Sequence, residues 1–208
     1  MKKPAKRTSR SPSLLVRPVT PERWDDLAAL FGPRGACAGC WCMFWRLTRK
    51  QFSAGKGAGN RRAMKALVAG GAVPGLLAYH GRQAVGWCAL APRADYSALA
   101  RSRILAPLDE EPCWSVSCLF VHREYRRKGV SAGLLRAAVE HARGQGARYL
   151  EGYPVEPKDD RPIPAAFAWT GIPSAFEAAG FAEVARRAPT RPIMRFEYPA
   201  PRARRRPR

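Results

Sequence analysis

A chain of 208 residues with 46% hydrophobic composition is long enough for one domain with a substantial core. None of its apolar runs approaches the roughly 18 residues of a membrane-spanning helix. The formal net charge is +21; five cations fall in the first ten residues and five in the last eight, with no acid in either stretch, which leaves +11 for the body.

Residues 1–12 read as a disordered basic tail, 13–199 as a single domain, and 200–208 as a second basic tail. The apolar run at 14–19 predicts a first strand. Thr20 is placed to cap a helix, with Pro21 at its first position, Glu22 and Asp25 in its first turns and Trp24, Leu27, Leu30 and Phe31 as its apolar stripe. Gly32-Pro33 stops it. Residues 35–46, GACAGCWCMFWR, pack three cysteines, two tryptophans, a phenylalanine and a methionine together. The polar, Gly-rich stretch 50–60 reads as a loop, and 61–68 as a second helix. Strands are expected at 75–80 and 84–90 across a tight turn at Gly81-Arg82, then a long loop over 92–112 with a short helix near Ser97.

The stretch from Trp114 to Arg136 organises the rest. Val116, Cys118, Leu119, Phe120 and Val121 form an apolar run of strand length. Arg126, Arg127 and Lys128 lead into Gly129, with Ser131, Ala132 and Gly133 close behind. Leu134, Leu135, Ala138 and Val139 then recur at helical spacing. A strand that feeds a helix through such a turn aims free backbone N–H groups at one point, a site for an anion such as a diphosphate. The patterns of a P-loop and of a dinucleotide fingerprint are both absent. A further strand at 147–153 must lie parallel to the first, by a right-handed crossover. A Pro-rich loop over 154–164, a short helix at 175–179 capped by Ser174, and a closing hairpin of 181–188 with 192–198 complete the chain.

Arg126 to Ser131, R-x-x-G-x-small, resembles motif A of the GNAT acetyltransferase superfamily, Q/R-x-x-G-x-G/A. Phe176 to Phe181, F-E-A-A-G-F, is similar to that family's Y-E-x-x-G-F, and the order β-α-α-β-β-β-α-β-α-β-β over residues 14–198 is the family's order. GCWCMFWR, EGYPVEP and RPIMRFEY look like a bacterial branch with largely unassigned substrates. The resemblance implies an α/β GNAT fold, a mixed central sheet with splayed parallel strands flanked by helices. It also implies an N-acetyltransferase in which a primary amine of a small molecule, peptide or protein attacks acetyl-CoA directly in a ternary complex. Main chain at Leu119, Phe120 and Val121 would bond pantetheine, and one amide there would polarise the thioester carbonyl. Arg126, Arg127, Lys128, Gly129, Val130, Ser131 and Ala132 would cradle the diphosphate.

The family's usual acid and base are missing. A base glutamate would fall at Ser115 and a proton-donating tyrosine at Phe176. Glu151 and Tyr153, two apart on one strand face, stand in as expected base and acid, with Ser115 beside them; Glu110, Glu111 and His122 are further options. Trp41, Phe44, Trp45 and Arg46 would wall the acceptor site. Cys37, Cys40 and Cys42 read as small buried hydrophobes, and no metal is expected. Without an apolar leader the six cysteines suggest a cytoplasmic protein, and no membrane partner is expected. The tails would contact polyanions without sequence preference. They also support the alternative of a nucleic-acid- or ribosome-associated protein on the same scaffold. Oligomeric state is open, a homodimer among the options.

Overall fold

Seven strands form one sheet: β1 (Leu15–Pro18), β2 (Gly75–His80), β3 (Gln83–Pro92), β4 (Cys113–Val121), β5 (Tyr149–Gly152), β6 (Ala182–Arg186) and β7 (Pro192–Glu197). Their order is β1-β2-β3-β4-β5-β7-β6, in a computed structural model that describes residues 13–157 and 163–199. The expected tails and the middle of the Pro-rich loop lie outside the described residues. Every pair is antiparallel except β4–β5, which is parallel, as the crossover rule requires.

Six helices flank the sheet: α1 (Trp24–Phe31), α2 (Arg49–Ala54), α3 (Ala58–Ala69), α4 (Ser97–Ala100), α5 (Val130–Gly144) and α6 (Pro173–Glu177). The predicted stripe of α5 is buried: Leu134, Leu135, Ala138 and Val139 pack with Leu76, Cys88, Leu90, Val116 and Leu150 on one face of the sheet. Gly86 lets α5 approach, since a Cβ there would lie 2.9 Å from Val130 and 3.0 Å from Leu134. On the opposite face α1 and α3 cover Leu77, Tyr79, Trp87, Ala89 and Cys118 with Leu27, Phe31, Met64 and Val68. No helix among the described residues is long and apolar enough to cross a membrane.

Two features differ from the sequence expectation. The stretch read as a loop over 50–60 holds α2 and the start of α3. Helix α2 has no buried residue and therefore no apolar stripe to read; a reciprocal cap between Thr48 and Gln51 starts it instead. The last short helix begins at Pro173, so Ser174 lies inside it rather than capping it.

Strand β4 carries an irregularity that shapes the site. Ala89 pairs with Cys118 and Leu90 with Val116, so Ser117 is an extra residue, a β-bulge. The parallel register with β5 ends at Val116↔Gly152. Beyond it β4 runs on to Val121 with no β5 partner, and the two strands part.

Candidate active site

The turn after β4 presents donors toward one point. Arg127 has φ +59° and Gly129 φ +78°, two left-handed residues around Lys128. Alternating hand at successive residues turns backbone amides to the same side, forming a nest for an anion. Gly129 is also the N-cap of α5, with no side chain capping it, so the N–H groups of the first turn face outward from the helix end. Arg126, Arg127 and Lys128 are exposed there, while Ser131 and Ala132 are half-buried and Val130 is buried beneath them. Arg126 Nε also donates to the Val121 carbonyl at 3.1 Å, tying the turn to the end of β4. The turn fits a diphosphate group.

Where β4 and β5 part, Leu119 N–H donates to the carbonyl of Trp169 at 2.6 Å. The segment that supplies this acceptor packs closely, because Gly171 (φ +88°) has room for no Cβ between Leu119 Cδ1 and Phe176. Phe176 is fully buried, and its ring fills the space over Gly152 at the end of β5.

On the α1/α3 side, a cavity of about 270 Å³ reaches β4 at Cys118, Leu119 and Phe120. Phe44, Trp45, Phe52 and Trp169 wall it, with Phe44 edge-on to Trp45 at 4.9 Å, to Phe52 at 5.4 Å and to Trp169 at 5.4 Å. Cys37, Cys40 and Cys42 also line it, and among the described residues Lys56 is the only charged one in it. Cys42 Sγ lies 3.2 Å from Cys118 Sγ and receives a hydrogen bond from Trp87 Nε1 at 3.1 Å. A hydrogen bond to Cys42 and burial push the Cys40 thiol up, and a hydrogen bond to Cys118 does the same for Cys42, so both stay protonated. Among the described residues no three His, Cys, Asp or Glu side chains stand close enough to hold a metal ion.

Of the predicted acceptor-site residues, Phe44 and Trp45 line this cavity. Trp41 stacks on Trp24 at 5.9 Å and faces a separate surface hollow beside Arg61. Arg46 lies over the Tyr96 ring at 4.7 Å, with its guanidinium 3.6 Å from Asp95. The reason is local: Gly35, Ala36, Ala38, Gly39, Trp41 and Cys42 all have positive φ, so side-chain directions in this stretch follow no regular period. Phe44 was expected in the wall and is there; Phe52 and Trp169 were not anticipated. The Thr48-Gln51 cap would have revealed the helix that carries Phe52. Trp169 lies between the Pro-rich loop and α6 and carries no local pattern.

Ser115, Glu151 and Tyr153 meet in a buried network, each 2% exposed or less. Tyr153 donates to Glu151 Oε2 at 2.9 Å, lies 2.9 Å from Ser115 Oγ, and accepts a bond from Arg93. Arg195 donates to Glu151 Oε1 through Nε at 3.1 Å and Nη2 at 2.7 Å. Both carboxylate oxygens are thereby engaged. Burial, reinforced by the Glu151 charge, pushes the Tyr153 hydroxyl up, so it stays protonated. Glu110 and Glu111 are exposed before the start of β4, at the end away from the turn, and Glu111 faces Arg148 at 3.9 Å. His122 follows β4, its N–H bonded to the Val85 carbonyl, and its buried Nδ1 has no protein partner.

The comparisons with known proteins agree with this geometry. A model of the acetyltransferase (GNAT) family matches residues 41–161, which hold Phe44, Trp45 and Phe52 of the cavity wall, β4, the basic turn, α5 and β5. No curated protein matches the chain. Among solved structures, a GNAT-family acetyltransferase of Listeria monocytogenes superposes with TM-score 0.54 at 10% identity, over 89% of this chain and 95% of that one. A second, from Streptococcus agalactiae, gives 0.53 at 11% identity, over 90% and 96%. The PaiA N-acetyltransferase of Thermoplasma acidophilum, solved with coenzyme A, gives 0.50 at 14% identity over 89% and 99%. These likenesses are of fold. With the family model spanning more than half of the sequence, from Trp41 through the basic turn and β5, the chain belongs to the GNAT acetyltransferase family.

Proposed function

We propose that the protein is an acetyl-CoA-dependent N-acetyltransferase acting on a primary amine attached to an apolar body. The observation that carries this is one junction. An amide-rich basic turn, the parting of two parallel strands and an aromatic cavity all meet on the last five residues of β4. Acetyl-CoA, when bound, supplies the activated acetyl group. Arg126 to Ala132 would hold its diphosphate through main-chain N–H groups and three cationic side chains. Main chain of Leu119, Phe120 and Val121 would hold pantetheine, and the Leu119 N–H would stabilise charge that develops on the thioester oxygen.

The cavity supports the choice of acceptor. Among the described residues no carboxylate lines it, so an ammonium entering it loses solvation without gaining a counter-charge from them. Such a site favours the neutral amine, which is the nucleophilic form. Desolvation thereby does part of the work of a base, consistent with Ser115 standing where the family has glutamate. Glu151, held at both oxygens, and Tyr153 act at one remove through Ser115, fixing β4 against β5 just before the strands part.

Calorimetric titration of acetyl-CoA into the wild type and into Ser131→Glu tests the cofactor site. An acid at the first turn of a helix does not harm the helix, so the variant is expected to fold. Its carboxylate competes with the diphosphate, and affinity is expected to fall at least about 100-fold, or ~2.7 kcal/mol. Folded wild-type protein that takes up no acetyl-CoA would sink the enzyme reading.

A further inference from the structure

The acceptor of the Leu119 N–H is part of the protein itself. Trp169 places its carbonyl 2.6 Å from that nitrogen, on the side of β4 that β5 has vacated. The segment is anchored at its downstream end. Thr170 is 1% exposed and accepts from Arg191 Nη1 at 3.1 Å. The Gly171 N–H donates to Ala168 at 2.9 Å and its carbonyl accepts from Val155 at 3.0 Å. Upstream, residues 164–167 are exposed, and Phe167 is 68% exposed. Trp169 therefore sits where a buried, anchored stretch meets an exposed one. Its ring also forms part of the cavity wall, 5.4 Å from Phe44 and 5.9 Å from Trp45. One residue thus touches the donor amide with its main chain and the acceptor cavity with its side chain.

Resting on the reading of Leu119 given above, we propose that Trp169 is a positioning residue that couples the two halves of the site. In the free protein its carbonyl holds the Leu119 N–H in the place of the thioester carbonyl. Donor binding exchanges one carbonyl for another on the same N–H. The number of hydrogen bonds is unchanged, so the net cost is small. Losing that bond frees Trp169, and the indole moves with its main chain, which reshapes the cavity wall when an acetyl group is in place. Coenzyme A lacks the thioester carbonyl and presents a thiol in its place, a much weaker acceptor, so Trp169 keeps or regains the Leu119 N–H. The cavity would then distinguish loaded from spent cofactor through a single hydrogen bond.

The test uses the full chain labelled with 5-fluorotryptophan and observed by fluorine NMR. There are six tryptophans, and the Trp169 line is assigned by its loss in Trp169→Phe. Two ligands are titrated: coenzyme A, and acetonyl-CoA, whose ketone keeps the carbonyl but resists hydrolysis. The expected result is a shift of the Trp169 line with acetonyl-CoA that coenzyme A does not produce. A Trp169 line that moves equally with both ligands, or with neither while calorimetry shows both bound, overturns the proposal and leaves the cofactor reading intact. Absence of calorimetric binding of either ligand overturns both. Hydrogen exchange of unlabelled wild type needs no variant: the peptide over 164–171 is expected to exchange faster with acetonyl-CoA than with coenzyme A, and equal rates overturn the coupling.

Discussion

Glu151 shows how a residue can look catalytic in sequence and be structural in its bonding. It shares a strand face with Tyr153, as the two-residue period implies, and the two are bonded at 2.9 Å. That period could not reveal Arg93 and Arg195, which arrive from the loop after β3 and from β7 respectively to engage the carboxylate. Removing its charge leaves the Arg93 guanidinium, its side chain only 11% exposed, without a carboxylate, and leaves Arg195 with Asp109 alone. Glu151→Gln is therefore expected to cost about 3 kcal/mol, because an uncompensated buried charge is worse than no pair at all. Chemical denaturation should show a lower midpoint with an unchanged slope. Loss of activity in excess of the unfolded fraction would instead give the carboxylate a direct part in the reaction.

At the scale of elements, the strand–turn–helix of β4 and α5 was legible because each part obeys its own period. Apolar residues run together in the strand, cations and glycine occupy the turn, and a 3.6-residue stripe marks the helix. The parting of β4 from β5 was legible only through family resemblance. Its physical cause is the Ser117 bulge together with a four-residue β5, neither of which leaves a mark in composition. The acceptor wall was half-legible: the aromatic content of residues 41–46 was plain, yet which rings face the cavity depends on a run of positive φ values that no pattern encodes. Gly152 is where these elements meet most tightly, since a Cβ on it would lie 1.9 Å from Phe176 Cε1. Gly152→Ala must displace that ring, and a loss of about 2–3 kcal/mol is expected, read as a fall in melting temperature. Gly152→Ala combined with Phe176→Leu should recover part of it; no recovery would show that backbone strain, rather than the ring, sets the cost.

For the whole molecule, the charge of +21 exceeds anything one diphosphate site would use. Attraction to polyanions through the tails at 1–12 and 200–208 is expected to be weak, non-specific and steeply salt-dependent. Retention on immobilised heparin should fall sharply between about 50 and 200 mM salt, and shorten when both tails are removed. Retention that survives tail removal would locate the basic surface on the domain instead, with the turn at Arg126–Lys128 the first place to look.

The sheet order also has a consequence for the route by which the protein assembles. From β1 to β5 each strand lies beside its neighbour in the chain, and only β7 steps out of sequence to sit between β5 and β6. The β2–β3 and β6–β7 pairs close over short turns, whereas β1 meets β2 across residues 19–74 and β5 meets β7 across residues 153–191, and longer closures cost more entropy and form later. The β2–β3–β4 strands, the bulge and the basic turn can thus be in place while the Leu119 N–H still lacks Trp169. The segment carrying Trp169 is fixed only when Arg191, immediately before β7, arrives to hold Thr170. The bond between the Leu119 N–H and Trp169 therefore draws on chain made after β4, the basic turn and α5, and its anchor at Arg191 comes later still.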